Sequence, residues 1–198
     1  MVEEASIEAG LSLEITRNGL SAIADEMAIS HVRSAYSSVA RDMLDFSTAV
    51  CDNRGRVIAQ GLSLALQLGA IPRLMKMMLD RIGAPKRGDV YFVNHPWQGG
   101  VHLPDVFFVK PVFLDGHDEL AAYAVLVSHM VDMGGRFQGS ISPSAASLWE
   151  EGLVIPLVAL VRDGVLNQPL LDTVAANTRD PAAVLGDIRS ALGALETG

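Results

Sequence analysis

Cysteine is all but missing from this chain, where Cys51 stands alone. One thiol cannot build an intrachain disulfide framework, and that fits a reducing compartment. Long apolar runs are missing too, since none approaches the roughly 18 residues that a membrane span needs. Charge is sparse at 19% of residues and leans acidic, with 15 Lys and Arg against 23 Asp and Glu and a formal net charge of −8. A broad basic face for nucleic acid is therefore not expected. The start, Met1-Val-Glu-Glu, is acidic and unlike a signal peptide. The expectation is a cytoplasmic protein with no membrane and no nucleic-acid partner. The chain also lacks a Gly-x4-Gly-Lys-Ser/Thr phosphate loop, a Gly-x-Gly-x-x-Gly turn and a Gly-x-Ser-x-Gly nucleophile elbow. It displays no nucleotide site of its own.

What it has is apolar residues, 49% of 198, with a mean hydropathy of +0.29. That is enough for a sizeable core, with apolar surface left over for a partner subunit. Leu13, Leu20 and Met27 fall seven apart with Ile23 between them, which predicts a helix that Ser12 could cap. A second helix is expected over residues 30–40, with His31 on its surface. Residues 45–50 and 56–60 read as a hairpin about the turn Asp52-Asn-Arg-Gly55, with Cys51 as a small buried hydrophobe. Pro72 suits the first turn of a helix carrying Ile71, Met75, Met78 and Ile82 and ending at Gly83. Strands follow at 90–93, 106–114, 120–127 and 153–161. Pro111 suggests an edge or a bulge, and Asp115-Gly-His-Asp118 a hairpin tip with His117 exposed. The remainder is mostly helical, with Asp180 as a cap before Pro181. The pattern predicts an α/β (α+β) fold: a mixed, largely antiparallel sheet with β-hairpins, flanked by N-terminal and C-terminal helices. One region is expected over 1–198, with a helical lead-in at 1–42, a sheet core at 43–165 and a helical tail at 166–198.

Two stretches hold the candidate chemistry. The first is Tyr91-Phe-Val-Asn-His-Pro-Trp-Gln-Gly-Gly-Val-His-Leu-Pro-Asp105, and the second is Val127-Ser-His-Met-Val-Asp-Met-Gly-Gly135. Each holds a His followed three residues later by an Asp, and each has a Gly-Gly pair beside it. The strand pair between them brings the ends of both motifs to one end of the sheet. His102, Asp105, His129 and Asp132 thus offer two imidazoles and two carboxylates, a donor set suited to Mn, Fe(II) or Zn. The other reading is satisfied polar histidines and turn-capping aspartates. His95 is a candidate acid/base or further ligand, or else a polar loop residue before a turn proline. His95 and Asp132 are the catalytic candidates. Trp97 could wall a pocket or simply pack. Glu150 and Glu151 could supply a carboxylate, with a solvated turn the better reading for Glu150.

Several segments occur in a familiar order: Arg41-Asp-Met-Leu-Asp-Phe-Ser47, Cys51-Asp-Asn-Arg-Gly55, Gly88-Asp-Val-Tyr-Phe-Val-Asn94, Gly99-Gly-Val-His-Leu-Pro-Asp105, Asp132-Met-Gly-Gly135, Gly139-Ser140 and Glu151-Gly152. Together they resemble the hydantoinase B/oxoprolinase family, specifically its N-terminal portion, over nearly the whole chain. The family includes subunits of ATP-dependent hydantoinases, of 5-oxoprolinase, and of acetone and acetophenone carboxylases. The resemblance implies a hetero-oligomer with a hydantoinase A-like ATPase subunit, which activates a carbonyl or cyclic amide with ATP. The B-type subunit then hydrolyses or carboxylates the activated species. It also implies a divalent metal (Mn, Zn or Fe) on His102, Asp105, His129 and Asp132, with ATP supplied through the partner. The alternative is a non-catalytic structural or binding subunit of such a complex. The chain departs from the family pattern at His95, where Asp is usual, and at Met130, where a second His is usual.

Overall fold

The computed structural model describes residues 2–61, 64 and 66–198; Met1 and the side chains of the acidic start lie outside that set. Seven strands among the described residues form one sheet in the order β2-β1-β5-β4-β3-β6-β7. They are β1 (Phe46–Asp52), β2 (Val57–Gln60), β3 (Val90–Val93), β4 (Asp105–Phe113), β5 (Leu120–His129), β6 (Val158–Arg162) and β7 (Val165–Leu166). Every neighbouring pair runs antiparallel. The expected sheet with flanking helices is therefore present.

The N-terminal region differs from the expectation. In place of two helices there is one, α1, of 33 residues from Val2 to Ser34, followed by the short α2 (Ser38–Arg41). Ser12 is not a cap; its carbonyl accepts from Thr16 Oγ1 within the helix. No Gly or Pro interrupts residues 27–30, and Ala24, Met27, Ala28 and His31 are all buried, so the packed face continues through the expected break. The chain turns only at residues 35–37. There Ser37 caps α2, and one carboxylate oxygen of Asp187 accepts from the backbone of both Tyr36 and Ser37.

His31, expected on a helix surface, is fully buried. Its Nδ1 lies 2.8 Å from Ser190 Oγ and its Nε2 lies 3.0 Å from Ser128 Oγ. Leu13 sits on the far part of the predicted heptad, and it is exposed because the first half of α1 runs clear of the sheet.

The remaining helices are α3 (Ile71–Leu79), α4 (Leu148–Glu151), α5 (Gln168–Asn177) and α6 (Pro181–Thr197). α3 starts where Pro72 predicts but closes at Leu79, before Gly83. Asp180 caps α6 by accepting from the Ala183 amide. Pro111 lies not on an edge strand but in β4, between β5 and β3. It falls beyond the last β3 pairing (Tyr91 with Val109), and the β5 register slips just after it, between Val112 and Phe113. β6 begins at Val158 rather than 153. The residues before it bond elsewhere, Leu153 to the Met133 carbonyl and Ile155 to the Asn94 side chain.

Each sheet face carries its own core. Val50, Phe92, Val106, Phe108, Ala124 and Leu126 pack under α1, α5 and α6 with Met27, Leu171 and Ile188. Ala49, Cys51, Tyr91, Val93, Phe107, Val109, Tyr123, Val125 and Val127 pack against Ile71, Leu74, Met75 and Met78 of α3. Strand residues alternate between the faces, as a period of two requires. This parity determines which polar residues meet at the strand ends.

Candidate metal centre

On β4, the α3 face takes Phe107 and Val109, so Asp105 belongs to that face. On β5 it takes Val125 and Val127, so His129 does too. On β1 it takes Ala49 and Cys51, and the same parity carries Ser47 and Asp45. Asp105 pairs directly with His129 across the sheet, and the His129 amide donates to the Asp45 carbonyl. Asp45, immediately before β1, His129 and Asp105 thus form a row at the ends of three adjacent strands. Neighbouring strands lie about 4.8 Å apart, so side chains from such a row reach a common point.

His102 comes from the loop before β4. The Asp105 amide donates to the His102 carbonyl, closing a tight turn, and His102 Nε2 lies 3.2 Å from Asp105 Oδ1. His129 Nδ1 lies 3.2 Å from the same oxygen and 3.7 Å from Asp45 Oδ2. The two imidazole centroids are 5.0 Å apart. Among the described residues, His102, Asp105 and His129 offer ligand atoms all within 4.8 Å of one another.

Three contacts pin the His102 loop. Arg73 Nη2 of α3 donates to the Pro96 and Gly100 carbonyls at 2.6 and 2.7 Å. Gly99, at φ +98°, lies so close to α3 that a Cβ there would come within 2.5 Å of Leu74 Cα. Asn94, fully buried, donates to the Leu103 and Leu153 carbonyls and accepts from the Ile155 amide.

The electrostatics follow from this crowding. Burial alone would raise the Asp105 pKa, but hydrogen bonds from His102 and His129 outweigh it and hold the carboxyl down at about 2. The hydrogen bond to Asp105 raises the His102 pKa against the opposing effect of burial, and the charges of Asp105, Asp45 and Glu151 add to it.

The structure does not bring Asp132 into this cluster. Beyond His129 the chain crosses to the other layer, where Met130 and Met133 enter the core beneath the helices. Asp132 goes with them. Its Oδ2 accepts from the Arg179 amide at 2.7 Å and its Oδ1 from Arg179 Nη1 at 2.8 Å. Identical His-x-x-Asp spacing therefore has two outcomes: a turn entering a strand closes the pair, and a chain leaving a strand separates it. His95 packs edge-to-face on the exposed Trp97, with ring centroids 5.8 Å apart. Its Nδ1 is buried without a hydrogen-bond partner among the described residues. Glu150 pairs with Arg136 at 3.4 Å.

Two residues outside the His-x-x-Asp motifs join the cluster. They are Asp45, from the segment 41–47, and Gln67, which opens a 3₁₀ turn (Gln67–Ala70) that leads into α3. Gln67 Nε2 lies 3.0 Å from Asp45 Oδ1 and 3.2 Å from Asp105 Oδ1. The alternation Asp45, Ser47, Ala49, Cys51 is visible in the sequence and hints at Asp45; nothing comparable points to Gln67.

The donor set suits a divalent cation. Two ligands at about 2.1 Å from one ion and at right angles lie about 3 Å apart, close to the 3.2 Å found between Asp105 Oδ1 and each imidazole nitrogen. Mixed imidazole and carboxylate donors fit Zn, Mn or Fe(II) better than Ca or Mg.

Comparison with known proteins agrees with the architecture. The Hydantoinase B/oxoprolinase family model matches residues 10–198. Caprolactamase subunit beta of Pseudomonas jessenii is 31% identical over 189 residues, which is 95% of this chain and 32% of that protein. The crystal structure of ATP-dependent caprolactamase from the same organism superposes with a TM-score of 0.78 at 28% identity, covering 94% of this chain and 32% of that one. A nucleotide-free acetone carboxylase structure shares the fold, with a TM-score of 0.84 at 17% identity over 94% of this chain and 24% of that one. The chain spans about a third of the length of curated relatives such as the caprolactamase subunit.

Proposed function

This chain belongs to the hydantoinase B/oxoprolinase family, and on that premise we propose that it serves in an ATP-dependent enzyme acting on an activated carbonyl compound. Within that class we assign it to cyclic-amide hydrolysis of the hydantoinase or 5-oxoprolinase type, or to the related ketone carboxylation. A hydantoinase A-like ATPase subunit would be its partner, and ATP would enter through that subunit. The site would hold a divalent cation (Mn, Zn or Fe) on His102, Asp105 and His129. Asp45 would take the place that sequence spacing gave to Asp132.

One observation carries the metal reading. His102 Nε2, His129 Nδ1 and Gln67 Nε2 all lie 3.2 Å from Asp105 Oδ1. A carboxylate oxygen has two lone pairs, so three nitrogens around it exceed ordinary hydrogen bonding. They suit a carboxylate that shares its charge with a cation beside it. Such an ion, when bound, supplies a Lewis acid for a carbonyl oxygen or for water.

The chain's own groups do the rest. Asp105 would share the ion with the two imidazole nitrogens that face it. Asp45 is partly open to solvent, its side chain 25% exposed against 4% for Asp105. Glu151, whose charge is felt at His102, is a further carboxylate able to accept a proton there.

The test is metal analysis and titration calorimetry with Mn²⁺ and Zn²⁺ on the wild type and on His102→Ala. One ion per chain, lost in the variant, is expected. A folded wild type that binds neither ion would remove the metal and favour a non-catalytic subunit. Turnover of a lactam or hydantoin with ATP, against bicarbonate-dependent turnover of a ketone, distinguishes hydrolase from carboxylase once the ATPase partner is supplied.

A further inference from the structure

Gln67 is 1% exposed and polar, and it lies against two carboxylates rather than one. Its Nε2 reaches Asp45 Oδ1 at 3.0 Å and Asp105 Oδ1 at 3.2 Å, so the two hydrogens of one amide serve two acids, one just before β1 and the other opening β4. The two carboxylates, which only accept, set its orientation, and at the other end Ser47 Oγ lies 2.8 Å from Gln67 Oε1. Ser47 also reaches the Leu64 carbonyl. A reversed amide would set its carbonyl oxygen against both carboxylates. Ser47 lies in β1 two residues after Asp45, which immediately precedes that strand, so the serine at one end of the amide and the acid at the other are close in the chain.

We propose that Gln67 is a positioning residue that presets Asp45 and Asp105 for a divalent cation, an inference that rests on the metal reading above. Two carboxylates facing one small space repel each other, and without an ion they would swing apart. A lysine would hold them together but would bring its own positive charge into competition with the cation. A neutral amide holds both acids without occupying the ion's electrostatic role, and it leaves the remaining lone pairs for ligation. Because Gln67 leads directly into α3, the same contact ties the acids to the helix that Arg73 and Gly99 join to the His102 loop. Partners that orient metal ligands from behind are worth roughly 10–100-fold in metal affinity.

The experiment is Mn²⁺ and Zn²⁺ calorimetry on the wild type, Gln67→Leu, Gln67→Asn, Ser47→Ala and His102→Ala, with the Co²⁺ absorption spectrum and the apo melting temperature of each. Gln67→Leu and Gln67→Asn should weaken metal binding roughly 10–100-fold and shift the Co²⁺ bands, because a shortened or missing amide cannot span both acids. Ser47→Ala should show a smaller loss in the same direction. A merely structural role would lower the melting temperature and leave dissociation constant and spectrum in place. Should Gln67→Leu fail to fold, Gln67→Asn and Ser47→Ala decide the matter. If the wild type binds metal, His102→Ala does not, and the Gln67 variants bind with unchanged affinity and spectrum, the role of Gln67 is overturned while the metal centre stands. A wild type that binds neither ion overturns both.

Discussion

Asp105 and His129 face each other across adjacent antiparallel strands, one opening β4 and the other closing β5, and a 3.2 Å contact joins their side chains. They are 24 residues apart in the chain, and the β4–β5 hairpin makes them neighbours. Because they are a cross-strand pair, their approach is set by sheet register rather than by loop geometry. A one-residue slip of either strand would turn its member of the pair to the opposite face and part the two.

Asp132 should prove structural. Asp132→Ala removes the acceptor for the Arg179 amide and guanidinium. Chemical denaturation should show a loss of about 2–3 kcal/mol, as for hydrogen bonds to a buried charged group. The Mn²⁺ or Zn²⁺ affinity of the folded variant should stay within about threefold of wild type, since only losses of roughly tenfold and more mark a metal-orienting partner. A collapse of metal binding with stability intact would return Asp132 to the ligand set.

Gly135 should not tolerate a side chain. It sits at φ +79°, and a Cβ there would lie 2.5 Å from the Glu150 carbonyl oxygen and 2.7 Å from the Gly152 nitrogen. The left-handed backbone and the backbone clash together predict a loss of about 2–5 kcal/mol for Gly135→Ala. The melting temperature measures it; an unchanged value would show that the two loops do not pack as described.

His31 makes stability depend on pH. Burial pushes its pKa from 6.5 down to about 4, with the Asp187 charge opposing. Between those values the unfolded chain holds the extra proton, so stability rises with pH through that window. It is complete above about 6.5 and lost as the pH falls toward 4. The shift corresponds to about 3 kcal/mol. Urea titrations at pH 7 and pH 4.5 should show a larger drop for wild type than for His31→Gln. Equal drops would contradict the burial of a neutral imidazole.

Cys51 should resist modification. It is fully buried, and burial, helped by the Asp52 charge, pushes its thiol up to about 12. At pH 8 the thiolate fraction is about one in ten thousand. A thiol reagent should react slowly in buffer and fully in denaturant. Fast labelling of the native protein would place the thiol at the surface.

The free half of α1 should make the isolated chain sticky. Ile7, Leu11, Leu13 and Ile15 are each more than 60% exposed. Ile7, Leu11 and Ile15 recur every four residues, on one side of the helix. Light scattering should detect self-association that Leu11→Glu with Ile15→Glu reduces, with little change in melting temperature. Monomeric wild type would refute this.

Local pattern carried much of the architecture. Turn residues at 52–55 and 115–118, Pro72 in the first turn of α3 and Asp180 before α6 were legible because each acts through its own few neighbours. The boundary between α1 and α2 was not legible, because the carboxylate that holds the bend at Tyr36 and Ser37 comes from Asp187, some 150 residues away. His31 was misplaced for the same reason: its partners Ser128 and Ser190 lie on other elements.

At the site, the sequence alone determined that imidazole and carboxylate pairs lie at adjoining strand ends, and three of the four named residues do converge. Only the tertiary structure decided that Asp132 leaves for Arg179 while Asp45 and Gln67 enter. Spacing along the chain reports what a short turn can close. Whether a side chain shares a face with its neighbour depends on which strands pair and in which register, and no short segment contains that information.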